Sequence, residues 1–170
     1  MAQSLPQRKS PRLKGYDYSL AGAYFVTVCS YQRRYLFGYI QNGIMILNDL
    51  GHVVEAQLMN LPNHWNGVDL DLFVVMPNHI HAIIIIVEHS QTDAQKRVPT
   101  LGKIVGNFKA GVTRIASLQG LLVDDADSGK IWQGRYHDHI IRDERSMNQI
   151  QEYVANNPSR WEQDTFFSAP

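Results

Sequence analysis

A single cysteine, Cys29, stands among 170 residues. No disulfide can form within the chain, and a reducing compartment is the simplest setting for it. Long apolar runs are also missing. The longest, Leu72 to Val87, is broken by Pro77, Asn78, His79 and His81 and is shorter than the ~18 residues that a spanning helix needs. The opening residues, MAQSLPQRKSPRLKG, carry no apolar stretch of the kind that export signals use. A cytoplasmic, nucleoid-associated protein with no membrane partner is the expectation. There is no excess charge of either sign: 16 Lys and Arg face 16 Asp and Glu, which argues against a chain held to nucleic acid by bulk charge alone. Repeats, low-complexity tracts and a phosphate-cradling Gly-rich loop are absent as well.

What is present suits one globular domain. The apolar share is 44%, and a chain of this size buries about 70% of its unfolded surface without staples. Residues 1–15 read as a flexible basic tail and residues 16–170 as a single domain. The zero net charge hides an uneven distribution. Residues 1–37 and 94–115 each carry a net +5, residues 38–93 hold six acids and no Lys or Arg, and residues 116–170 sum to −4. Two basic blocks can form one face for a polyanion, or they can be solvated surface.

The pattern of residues predicts an α+β domain. Ala23–Ser30 is a strand rich in β-branched and aromatic residues. Leu36–Ile40 and Ile44–Leu47 form a hairpin around Asn42-Gly43. Asn48 caps a helix to about Met59, and Thr100 caps another over Leu101–Leu118. Val68–Met76 and Ile80–Val87 are strands whose near-continuous hydrophobicity suggests cover on both faces. Asp124–Gly129 is an acidic turn and His139–Arg142 a short strand, and Asp143 caps a last helix over Glu144–Asn156, stopped by Pro158. The order implies a mainly antiparallel sheet with helices packed on it.

His79-Ile80-His81 is the most informative triplet. In a strand, residues i and i+2 share a side, so the two imidazoles emerge together and offer two nitrogens to a divalent metal. The competing reading is a pair of histidines satisfied by hydrogen bonds. An apolar strand gives little reason to hold two titratable rings, because buried polar groups cost free energy unless paired. His137 and His139 form a second pair around Asp138, either a metal pair or a polar loop entering a strand. Tyr153 and Asn157 lie at i and i+4 and stack on one helix face, at the edge of the stripe formed by Met147, Ile150 and Val154.

Three segments, VVMPNHIHAIIII (Val74–Ile86), WQGRYHDHIIRDE (Trp132–Glu144) and EYVANNP (Glu152–Pro158), occur in that order. Together with Tyr16–Gly38 they resemble the single-tyrosine HUH transposases, which include the insertion-sequence 200/605-type enzymes. The resemblance is closest to the REP-associated branch and covers about Tyr16 to Trp161. It implies a ferredoxin-like fold. It also implies Mg²⁺ or Mn²⁺ bound by His79, His81 and Asn157, and a nucleophile at Tyr153. The reaction it implies is cleavage and rejoining of single-stranded or hairpin DNA through a 5′-phosphotyrosine.

His137 stands where the family has an aromatic residue, which leaves His139 as the matching histidine, with a structural or DNA-contacting role. Lys103, Lys109, Trp132, Arg135, Tyr136 and Arg142 are candidate DNA contacts, and Phe108 is either a stacking ring or core. Family members act as monomers or as homodimers, so either state is open. Imidazole must be neutral to bind metal, so activity is expected to fall below about pH 6. Two other readings remain: a DNA-binding module that has lost cleavage, and a histidine-triad hydrolase. The latter needs a third histidine where this chain has Ile83.

Overall fold

Side-chain capping sets the helix starts in the computed structural model, which describes residues 15–87, 99–122 and 129–167. Asn48 accepts a hydrogen bond from the Gly51 amide and opens α1 (Asp49–Met59). A single turn, α2 (Leu61–His64), follows it. Thr100 caps the Lys103 amide and opens α3 (Leu101–Leu118), and Asp143 caps the Ser146 amide and opens α4 (Glu144–Asn156). The strands are β1 (Gly22–Cys29), β2 (Gly38–Gln41), β3 (Ile44–Leu47), β4 (Val68–Val75), β5 (His79–Ile86) and β6 (His137–Ile141). All the strands and helices expected from the sequence are present, while α2 and two 3₁₀ turns had no clear signal. The N-terminal tail to Lys14 and most of the acidic turn lie outside the described residues.

The main sheet has the order β4-β5-β1-β6, and every neighbouring pair is antiparallel. With the β2–β3 hairpin set aside, β1–α1–β4–β5–α3–β6 is the ferredoxin-like arrangement, an α+β fold. The hairpin turns at Asn42 and Gly43, both with positive φ (52° and 73°), which suits a two-residue primed turn. It seats on the start of α1: a Cβ built at Gly51 would stand 2.1 Å from the Phe37 carbonyl oxygen, so only glycine fits.

Residues paired directly across an antiparallel ladder share a face, so the registers separate the two sides of the sheet. On one side lie Tyr24, Val26 and Val28 of β1 and Ile80, Ala82, Ile84 and Ile86 of β5, all buried. They join Val54 and Leu58 of α1 and Ile104, Val105, Phe108 and Val112 of α3 in one apolar cluster. Each such side chain contributes roughly 1.5–3 kcal/mol on burial, so this side carries the stability of the domain. Phe108 belongs to this core. β5 is buried along its length, as the sequence suggested, and β4 packs against α1 and α2 as well as α4 but is less deeply buried. β4 is an edge strand with Asp69 and Asp71 exposed, charges that discourage pairing with another chain. No helix among the described residues is long and apolar enough to cross a membrane.

Candidate metal and tyrosine site

The other side of the sheet is different in kind. In register across β5, β1 and β6, His79 faces Cys29, His81 faces Thr27, and Thr27 faces His137. Phe25 faces His139 and stacks on the His81 ring at 5.2 Å. Both histidine pairs therefore project from one face of one sheet. The inner pair is buried, whereas His137 and His139 are exposed.

The inner imidazoles converge, with His79 Nε2 and His81 Nε2 3.0 Å apart. Their outer nitrogens are fixed by neighbours. The Asn78 amide nitrogen donates to the carbonyls of Phe166 and Arg33, which turns its oxygen toward His79 Nδ1 at 2.8 Å. A carbonyl oxygen only accepts, so His79 carries its proton on Nδ1 and presents a lone pair at Nε2. His81 Nδ1 meets the Thr27 hydroxyl at 2.8 Å, a partner that can donate or accept. With the hydroxyl donating, His81 holds its proton on Nε2, between the two rings. With the hydroxyl accepting, both Nε2 lone pairs aim at one space, as a cation requires.

α4 supplies the other half. The Tyr153 hydroxyl lies 3.1 Å from His81 Nε2 and 3.2 Å from Asp164 Oδ2. The same carboxylate oxygen accepts from the Asn157 amide nitrogen at 2.8 Å, and Asp164 Oδ1 accepts from the Phe166 amide at 2.6 Å. Asn157 is buried and its Oδ1 has no hydrogen-bond partner. Such an orphan inside a polar site is unusual and fits a metal ligand. One donor atom each from His79, His81 and Asp164 lie within 4.8 Å of one another. Two neutral imidazoles, a carboxylate and an amide oxygen form a donor set suited to a divalent ion of the Mn²⁺ or Mg²⁺ kind.

The electrostatics follow from burial. It is the largest cause holding both imidazoles down at about 3, from an ordinary 6.5. The Arg33 charge adds to the effect at His79, and the neighbouring ring adds to it at His81. Burial, and then the Asp164 charge, pushes the Tyr153 phenol up to about 12. Arg33 is itself held in an unusual place: Gln32 and Arg33 have φ of 54° and 57°, a conformation that costs a non-glycine residue free energy. That turn aims the Arg33 carbonyl at Asn78 and stacks its guanidinium over Phe166, 5.1 Å from the ring centroid.

His79, His81, Tyr153 and Asn157, expected to act together, are thus assembled in one place. Of the other candidates, His139 shares the sheet face of the site, opposite Phe25, and the rest lie elsewhere. The Lys109 ammonium donates to the Gln133 carbonyl, burial lowers its pKa, and Trp132 donates to the Lys109 carbonyl. Trp132 packs between Phe37 and Phe108, and Tyr136 packs against the same core. Lys103, Arg135, His139 and Arg142 are exposed. Asp164, Thr27, Asn78, Arg33 and Phe166 were not anticipated. Asn78 adjoins the histidine pair in the motif, but nothing in the chain marks a carboxylate seven residues beyond Asn157 or a threonine on another strand.

No family model matches the chain. It is 42% identical, over 94% of its own length and 93% of the relative's, to an uncharacterized protein of Haemophilus influenzae. Among solved structures it resembles a REP-associated tyrosine transposase bound to a REP hairpin, with a TM-score of 0.61 and 18% identity, over 88% of this chain and 73% of that one. It also resembles a Deinococcus radiodurans R1 protein provisionally assigned as a transposase, with a TM-score of 0.52 and 19% identity, over 85% of this chain and 95% of that one. The chain belongs to one family with the Haemophilus influenzae protein, and its fold is that of the single-tyrosine HUH transposases.

Proposed function

We propose that this protein is a transposase-type enzyme that cuts and rejoins single-stranded or hairpin DNA through Tyr153. The observation that carries the reading is the meeting of the Tyr153 hydroxyl with His81 and Asp164 beside the orphaned Asn157 oxygen. His79, His81 and Asp164 would hold the metal, with Asn157 Oδ1 as a further ligand. When bound, the ion neutralises charge on the scissile phosphate. Tyr153 Oη forms the bond to phosphorus as the bond to the 3′ oxygen breaks. The phenol proton passes to a base, for which Asp164 Oδ2 is positioned, and the departing 3′ oxygen takes up a proton from water. Attack by a 3′-hydroxyl reverses the step and rejoins the strand. The phosphotyrosine conserves the bond energy, so no nucleotide cofactor is required.

The substrate reading draws on the transposase of like fold that was solved on a REP hairpin. Its test uses labelled oligonucleotides made from the DNA flanking the gene, incubated with Mn²⁺. A denaturant-stable protein–DNA adduct that is absent in Tyr153→Phe supports the reading. Tight binding with no adduct on any strand would instead make the chain a binding module.

A further inference from the structure

Beside the site lies a second concavity that the chemistry above does not use. It encloses about 520 Å³ between the β2–β3 hairpin and the turn after α4, within the usual range for a small-ligand site. Its aromatic surfaces are Tyr35, Tyr39, Trp161 and Phe167, and Asn42, Arg160 and Glu162 stand at its polar margin. The hairpin closes one end, where a Cβ at Gly43 would lie 3.3 Å from Ser159 Cα.

This groove adjoins the metal seat across Trp161. One wall includes Pro77, directly before Asn78 and His79, and the other begins at Pro158, directly after Asn157. Trp161 is the partition between them: its ring lies 6.0 Å from His79 on the site side and 5.7 Å from Tyr35 on the groove side. Tyr39 is 56% exposed and Tyr35 38%. Large rings left in water beside a phosphate-handling site suit a π-faced ligand better than an aliphatic one. A polar margin holding an amide and a guanidinium suits base edges, while Glu162 on the same margin offsets the guanidinium charge, so the rings rather than charge hold the ligand.

Resting on the reading of the site as a single-strand DNA enzyme, we infer that this groove is the seat of an unpaired nucleobase next to the attacked phosphate. The base stacks on Tyr35 and Tyr39, and the strand continues past Trp161 to Tyr153. Stacking is tolerant of base identity, so the groove holds the strand in place and does not read its sequence.

The test is the affinity of the full-length protein for fluorescein-labelled oligothymidylate, measured by anisotropy for the wild type, Tyr35→Ala and Tyr39→Ala. Each ring stacked on a base is worth ~1–3 kcal/mol, or roughly five- to 150-fold in affinity. Each variant is expected to bind that much more weakly, with the same ratio to wild type at low and high salt, because stacking does not release counterions. His52→Ala, on an exposed part of α1, is expected to bind as wild type. Both tyrosines are largely outside the core, and retention of the thermal midpoint shows that the variants are folded. Affinities within twofold of wild type would overturn the inference, as would a wild type that does not bind the strand. Tyrosine-dependent binding without a covalent adduct would uphold the groove and overturn the chemistry. An adduct with no loss of binding in the variants would do the reverse.

Discussion

The Tyr153 hydroxyl and His81 Nε2 stand 3.1 Å apart across 72 residues of sequence. A sheet face and a helix must pack correctly for these atoms to meet. The contact therefore ties the fold to the proposed chemistry. Replacing Tyr153 with Phe removes one partly exposed hydroxyl and leaves the ring, which lies 6.1 Å from Phe25 and 5.2 Å from His81. Stability is expected to change by less than about 1 kcal/mol, and covalent adduct formation is expected to vanish. A residual adduct on denaturing gels would show that another residue is the nucleophile.

Asp164 connects the parts of the site, accepting from Tyr153, Asn157 and the Phe166 amide. Asp164→Asn replaces one acceptor oxygen with a donor nitrogen and removes a carboxylate charge beside the imidazoles. Mn²⁺ affinity, read by calorimetry without DNA, is expected to fall roughly 10- to 100-fold, the usual loss when a metal site loses a ligand or its support. An unchanged affinity would leave the metal to His79, His81 and Asn157.

Thr27 is buried and its hydroxyl is the partner of His81 Nδ1. Thr27→Val keeps the shape and removes that partner, leaving a buried ring nitrogen unsatisfied. A loss of about 1–3 kcal/mol in unfolding free energy is expected, measured by urea denaturation. Metal affinity should weaken too, because the His81 tautomer is no longer held. A variant as stable as the wild type would mean that His81 has found water in place of the hydroxyl.

The pH dependence has a definite sign. His79 and His81 titrate at about 3 in the folded protein against 6.5 ordinarily, so between these values the unfolded chain binds more protons. Stability is full above pH 6.5 and is lost as pH falls through that window toward 3, by up to about 1.4 kcal/mol per pH unit for each ring. Denaturant midpoints at pH 7, 5 and 4 check this, and His79→Gln with His81→Gln should flatten the dependence. Burial also keeps the pair neutral further into acid than an ordinary imidazole, so loss of activity through protonation is expected below the pH 6 that the sequence suggests.

The local signals in this chain were unusually direct. Asn48, Thr100 and Asp143 each cap the helix that follows, because a side-chain acceptor three residues before an amide needs no distant partner. The alternation around Ile80 placed His79 and His81 together, and the i, i+4 spacing placed Tyr153 with Asn157. What hydrophobicity alone did not distinguish was the edge position of β4 from the inner position of β5. That position is a property of the whole sheet.

By itself, the sequence determined which residues are chemically capable, and on which strand or helix face each one lies. Those are properties of short segments with fixed periods. Only the tertiary structure decided what meets what. It brought Thr27 from β1 to His81 on β5, turned Asn78 between Arg33 and Phe166 to fix the His79 tautomer, and folded Asp164 back onto Tyr153 and Asn157. It also set the two histidine pairs on one face of the sheet, the inner one buried and the outer one exposed. These contacts depend on strand order, register and the path of a C-terminal turn, which no spacing along the chain encodes.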